Sequence, residues 1–381
     1  MANVRIGFIG AGGVNFGSNV GSWNHASRLE QIGGVEIVGI ADIDTTRAER
    51  ALAERKRATN ATSIYANCKI YSSAEDMIER EKLDGVFVGL PPGCHGSLVK
   101  GLDIELACVK AGIHTFIEKP LSLVPPENFV DFARTLAAEQ AKSNAIVSVG
   151  YMFRYHPAVV KMKEFITELH SAGKRVMCVN ARYNCAYSES TKPHWWNVRS
   201  SGGPIIEQAT HFCDLARYLA GEPNLGTISA LNVNASEPSG KLSHIGEHIR
   251  EDEIRDELRM PRATSAHWKF ERNGIGSLMH GISLLGTSYE TSFDVWADGL
   301  RMSLIEPYRS TCELRVRSGK SESERVFTFE DADAYLEEDK AFIEAIRTGN
   351  HSLIKCPYYD AVKTYDFTWA IRRAGEENDC F

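Results

Sequence analysis

Val4-Arg5-Ile6-Gly7-Phe8-Ile9-Gly10-Ala11-Gly12-Gly13-Val14-Asn15-Phe16-Gly17 is the stretch that decides the fold. Its first six residues are apolar enough to form a strand buried on both faces, as strands of parallel sheets are. The strand runs directly into a glycine loop, helix-compatible sequence follows, and Glu36 to Ala41 is a second short β-rich run closed by Asp42. This is β-α-β order. Glycines in such a loop let the backbone approach a pyrophosphate, and the start of the following helix supplies N–H groups, so the stretch is a candidate dinucleotide loop. The match is imperfect: Gly10 and Gly12 supply G-x-G, Asn15 stands at the third glycine position, and Gly13 and Gly17 are nearby in a loop that looks expanded.

Outward from this unit the alternation continues. Helical patterns over 45–57, 73–81, 96–111 and 126–141 are interleaved with strand-like runs at 85–90, 114–117 and 145–149. That spacing predicts a doubly wound parallel sheet over residues 1–150. After Gly150 the texture changes. Runs at 176–183, 226–233, 265–272, 276–282, 289–297 and 314–316 are richer in Thr, Tyr and Trp and have fewer helices between them. They read as an antiparallel set in a second, α+β domain over 151–381. Helices are expected at 157–169 and 207–219 and over most of the tail from 333 to 376. The mixed-charge stretch 235–262 reads as an exposed insertion, either solvated surface or a substrate lid.

Three places carry chemistry. Asp42, at the end of the second strand, can accept both hydrogen bonds of an adenosine ribose diol, or simply cap the helix that begins near Thr45. Its charge, with that of Asp44, disfavours a 2′-phosphate and so favours NAD over NADP, although Arg47 could reverse the preference. Lys119, in Glu118-Lys119-Pro120, is kept from helical angles by the proline, which aims its ammonium beyond the carboxyl edge of the sheet. Glu207 and His211 lie four residues apart at the start of a helix, where both face one side. An imidazole there can take a hydroxyl proton while the carboxylate sets its tautomer. The pair also has metal-ligand spacing, but no third ligand is evident, and no metal is expected.

Taken in order, Ile6 to Gly12, Asp42, Pro91-Pro92 with His95, Phe116 to Pro120, Gly150 to Pro157, and Gly202-Gly203 through His211 to Leu219 resemble the glucose-fructose oxidoreductase / inositol dehydrogenase / rhizopine catabolism (Gfo/Idh/MocA) family. The resemblance extends to Phe342–Gly349 and Pro357-Tyr358. It implies an N-terminal Rossmann domain, a C-terminal α+β domain whose large open sheet often mediates oligomers, and hydride transfer between NAD(P) and a sugar, cyclitol or related, dihydrodiol-like alcohol. The family's lysine maps onto Lys119 and its histidine onto His211. Its usual aspartate becomes Glu207. Expected cofactor contacts are Gly10, Gly12, Gly13, Val14, Asp42, Pro91, His95, Glu118 and Lys119. Tyr183, Trp195, Trp196, Arg199 and His211 are expected on the substrate side, since aromatic faces suit the C–H faces of a ring; the two tryptophans could equally be packing residues. Arg154 and His156 read as structural.

Composition narrows the rest. With 381 residues the chain has room for two or three domains, and 43 Lys+Arg against 50 Asp+Glu give a charge of -7 without a basic block. Nucleic acid and anionic membrane are therefore poor partners. Nine cysteines without a C-x-x-C pair fit a reducing compartment, and no signal peptide is evident, so a cytoplasmic protein is expected; the family resemblance implies a homo-oligomer, dimer or tetramer. Two other functions stay open: glycoside cleavage through transient oxidation of one sugar carbon by bound NAD, and a non-catalytic nucleotide or sugar sensor.

Overall fold

The fold follows from which strands are buried on both faces and which on one. A computed structural model describes residues 3–18, 23–58, 62–190 and 192–378; Cys380 lies outside them. The first elements are β1 (Val4–Ile9), α1 (Gly13–Phe16), α2 (His25–Ile32), β2 (Val35–Ala41), α3 (Thr45–Ala58), β3 (Lys69–Tyr71), α4 (Ala74–Arg80) and β4 (Gly85–Val88). Then come α5 (Ile104–Lys110), β5 (His114–Ile117), α6 (Pro126–Ser143), β6 (Val147–Val149), α7 (Pro157–Ser171), β7 (Val176–Ala186), α8 (Val198–Ser201), α9 (Thr210–Ala220) and β8 (Pro223–Val233). The chain closes with β9 (Ala263–Phe270), β10 (Ile275–Leu284), β11 (Glu290–Ala297), β12 (Leu300–Ile305), β13 (Thr311–Ser318), β14 (Arg325–Glu330), α10 (Ala334–Thr348) and α11 (Tyr358–Asn378).

The chain divides into two units, Met1–Tyr155 with Asp333–Val362, and His156–Ala332 with Lys363–Phe381. This differs from the expected division at 150, because α10 returns to the first unit. Its Phe342 and Ile343 are fully buried in the same core as Phe8, Phe87 and Phe116, with the Phe342 ring edge-on to both Phe87 and Phe116.

In the first unit six parallel strands run in the order β3-β2-β1-β4-β5-β6. That is the doubly wound order of dinucleotide-binding folds, whose ligands lie beyond the carboxyl ends of the strands where the order reverses, here between β1 and β4. Strand β3 was not expected. The expected helix over 96–111 is helical only from Ile104, since Gly96 and Gly101 have φ of 71° and 87°, which a helix does not tolerate.

In the second unit eight strands form one sheet, β14-β13-β12-β11-β7-β10-β9-β8. It is antiparallel except for the central β7/β10 pair, which is parallel. One face is buried, with Val179, Ala181 and Tyr183 of β7 alternating with exposed Asn180 and Arg182. The other face leaves Leu231, Ile275, Met279 and Trp296 about half exposed.

Candidate active site

In the first unit the carboxyl end of β1 is shaped by close backbone approach. Gly10 has φ of 90°, and a Cβ there would stand 2.7 Å from the Gly89 carbonyl oxygen, so only glycine fits. Around Gly12, by contrast, the space a Cβ would occupy is open, leaving its backbone approachable. The helix after the loop is a single turn, α1, with Gly13 and half-buried Val14 at its start. Asn15, at the third glycine position, is fully buried, and its amide donates to the carbonyl oxygens of Ile9 (3.2 Å) and Gly10 (2.7 Å). It replaces the close helix-to-strand contact of a glycine with a polar plug, and the chain compensates just after β4, where Gly89 leaves room for the amide.

Asp42 sits where a ribose acceptor is expected, but its carboxylate is already fully engaged. Oδ1 accepts from the Asp44 N–H (2.8 Å) and Arg47 Nη2 (2.6 Å), and Oδ2 from the Ala11 N–H (2.7 Å) and Arg47 Nε (3.2 Å). Burial pushes the carboxyl up, but these hydrogen bonds outweigh it and hold Asp42 below its ordinary value. The Arg47 side chain is half exposed, so it is the movable member of the pair.

Pro91 is exposed just beyond β4, whereas His95 is buried, its Nδ1 2.6 Å from Oε1 of buried Glu105. Glu118 closes β5 and is buried; Lys119 is half-buried, and its peptide bond to Pro120 is cis.

In the second unit the expected helix over 207–219 begins as a π turn, Ile205–Ala209, before α9. A π turn widens the helix and recurs at functional sites. Glu207 lies in it and His211, largely buried, in the first turn of α9. Trp195 Nε1 donates to Glu207 Oε2 (3.1 Å), so this tryptophan does touch the expected machinery. Trp196 does not: it is fully buried, edge-on to Trp195 and beneath the Arg262 guanidinium. The packing alternative describes it, and Arg199 is exposed on the single turn α8.

Tyr183 is buried, stacked on His280 (5.2 Å between ring centroids) and ringed by Phe212, Tyr289 and Tyr308. Tyr308, half-buried, also stands edge-on to His211, 6.3 Å away. The Gln208 amide bridges His280 Nε2 (2.9 Å) and Cys185 Sγ (3.2 Å), and burial pushes the His280 imidazole down to about 3. Gln208, His280, Tyr289 and Tyr308 were missed from sequence. Strand alternation could have placed His280 inward with Leu278 and Ile282, but nothing in the residue order marks the π turn.

The charged stretch 235–262 is a loop with three short 3₁₀ turns, fastened at its end by buried Arg262, which makes a two-oxygen contact with Glu251. Asp214 and Arg217 in α9 and Arg154 after β6 serve packing. Thr364 Oγ1 bonds Asp214 and Arg217, and Arg154 bonds Asp360 and the Lys355 carbonyl. Among the described residues no group of three His, Cys, Asp or Glu could hold a metal ion, and no helix is long and apolar enough to cross a membrane.

Residues 4–151 match the family described as oxidoreductase family, NAD-binding Rossmann fold, and residues 154–300 match an oxidoreductase C-terminal domain. An uncharacterised protein of Schizosaccharomyces pombe is 38% identical, covering 97% of this chain and 91% of that protein. The chain belongs to the Gfo/Idh/MocA oxidoreductase family. Another member that it resembles is the myo-inositol 2-dehydrogenase of Thermotoga maritima, 26% identical over 91% of this chain and 89% of the relative. Among solved Gfo/Idh/MocA folds, a 3-ketoreductase from Actinomadura kijaniata in complex with NADP superposes with a TM-score of 0.69 at 15% identity, covering 98% of each chain. The first unit of this Gfo/Idh/MocA protein is thus an NAD-binding Rossmann domain, and the protein is an oxidoreductase of the dehydrogenase/reductase type. The open backbone at Gly12 fits a dinucleotide, and the carboxylate at the end of β2 fits its ribose once the half-exposed Arg47 side chain moves off it.

Proposed function

We propose that the protein interconverts a secondary alcohol and its ketone on a cyclic polyol, either a cyclitol or a sugar. The observation that carries this reading is the π turn that sets Glu207 and His211 beside a wall of Tyr183, Tyr289 and Tyr308. Aromatic faces pack on the C–H faces of a saturated ring, and an imidazole with a carboxylate beside it handles the hydroxyl proton. Bound NAD(P) supplies the hydride acceptor. His211 takes the alcohol proton on its ring, Lys119 Nζ holds or shares that proton, and Glu207 orients His211 or a neighbouring hydroxyl. Trp195 anchors Oε2 of Glu207, which sets the direction of the other carboxylate oxygen. The longer reach of glutamate, compared with the family's aspartate, is taken up by the widened turn.

The cofactor contacts we propose are the backbone at Gly10, Gly12, Gly13 and Val14, the Asp42–Arg47 pair, the turn at Pro91, and Glu118 with Lys119. His95 supports that turn through Glu105. The half-exposed Leu231, Ile275, Met279 and Trp296 support self-association through the open sheet face.

The test is a panel of inositols, sugars, anhydrosugars and aryl dihydrodiols with NAD and NADP supplied separately, reading NAD(P)H. Stoichiometric NAD(P)H from a cyclitol or sugar is the expected result. Hydrolysis without NADH accumulation would move the protein to the glycoside-cleaving alternative, and turnover restricted to dihydrodiols would overturn the polyol reading.

A further inference from the structure

Behind the Glu118-Lys119-Pro120 corner, the first unit buries a charged cluster that the reaction above does not use. His25 opens α2 after the cap residue Asn24, whose side chain accepts from the Ser27 N–H. Nδ1 of His25 lies 2.9 and 3.0 Å from the two carboxylate oxygens of Asp339 on α10, and Nε2 lies 3.0 Å from Oε1 of Glu118. Phe87 and Phe116 flank the ring at 4.9 and 5.1 Å, and both His25 and Asp339 are removed from water.

A neutral imidazole has one N–H and one lone pair, so it can satisfy only one of the two carboxylates; an imidazolium donates to both. Burial pushes the ring's pKa down, but Asp339 and Glu118 more than reverse this and raise it to about 9. The other titratable groups around the cluster are Arg28 on α2, Tyr335 and Glu338 on α10, and Lys119 beside Glu118. On the far side of the Glu118 carboxylate lies the Gly150 backbone, where a Cβ would stand 2.9 Å from both oxygens. Glu118 is therefore held between a cation and a wall.

We propose that His25, fixed by Asp339, is a positioning residue for the cofactor: it pins Oε1 of Glu118 so that Oε2 is kept to accept from a hydroxyl or amide N–H of the bound dinucleotide beside Lys119. The inference rests on the reading of Glu118 as a cofactor contact. Nothing in the residues around α2 marks His25 as functional; the juxtaposition exists only in the folded unit, where a helix from near the end of the chain supplies Asp339.

The experiment is a titration of the full chain with NADH and NADPH by fluorescence between pH 6.5 and 10, for wild type, His25→Gln and Asp339→Asn. In wild type the affinity should hold to about pH 8 and then fall roughly tenfold or more, as loss of a charge-assisted hydrogen bond does. Asp339→Asn should bring that fall to lower pH by about a unit, and His25→Gln should weaken binding throughout and flatten the profile. Variants that keep the wild-type affinity and pH profile, with only their melting temperature lowered, overturn the inference and leave the cofactor reading intact. A wild type that binds neither NADH nor NADPH overturns that reading and this inference with it. Should the variants not fold, the wild-type imidazole is titrated directly by ¹⁵N NMR. A ring that stays protonated at pH 7.5 supports the inference, and a neutral one overturns it.

Discussion

At the residue scale the sharpest test is His211. Replacing it with Ala should lower turnover by roughly 10²–10⁴ while leaving NADH affinity near normal, because a general base acts in the transition state and not in cofactor binding. Unchanged turnover removes it from the mechanism. Arg47 tests cofactor choice. Its guanidinium saturates Asp42, yet it is half exposed and able to swing onto a 2′-phosphate. Arg47→Ala should weaken NADPH by about tenfold and spare or tighten NADH, since the freed carboxylate then meets the ribose diol; equal losses for both nucleotides would show that Arg47 only supports the loop. His211, Glu207, Lys119 and Asp42 are the candidates that motif order alone puts forward, and the His211 and Arg47 variants put two of them to the test. Tyr289, Tyr308, Gln208 and His280 were not legible in the sequence, since what unites them is proximity across β7, β10 and the loops at the two ends of β11 and β12.

At the scale of elements, α9 is positioned by a buried network and not by its own turn. Arg217 bonds Glu222 through two nitrogens and reaches Thr364 of α11, which in turn bonds Asp214. Arg217→Ala removes the Glu222 pair and the Thr364 hydrogen bond and takes the guanidinium, 4.0 Å away, from the buried Asp214 carboxylate, a loss of about 1–3 kcal/mol. Calorimetry should show a clear drop in melting temperature, and an unchanged midpoint would mean the network carries no stability. Strand legibility followed burial. β4 is a continuous apolar run, and β1, β2 and β5 are buried at every position but one because both faces are covered, whereas β14 carries exposed and half-buried side chains throughout and β3 is only three residues long. The 96–111 stretch misled because its composition is helical while its glycines hold left-handed angles.

For the whole molecule, three buried histidines set opposite pH limits. His25, raised to about 9, contributes stability that is complete below its unfolded value near 6.5 and is lost as pH rises through 9. Burial lowers His156 to about 4 and His280 to about 3, so between those values and 6.5 the unfolded chain binds more protons and stability falls as pH falls. Melting temperature plotted against pH should therefore peak near 6.5 and decline on both sides, with His25→Gln flattening the alkaline limb alone. Sedimentation of a Met279→Lys variant tests the open sheet face: an assembly that depends on this face should dissociate, and an unchanged one places the interface elsewhere.

The placement of α10 has a consequence for how the protein is made. A ribosome has emitted every strand of the parallel sheet by Val149, yet Phe342, Ile343 and Asp339 are still far from synthesis. Until they emerge, the rings of Phe87 and Phe116 lack their cover and His25 lacks its main counter-ion. The nucleotide-binding unit is therefore not completed by its amino-terminal stretch alone, and its aromatic core stays partly uncovered on the nascent chain until α10 is made.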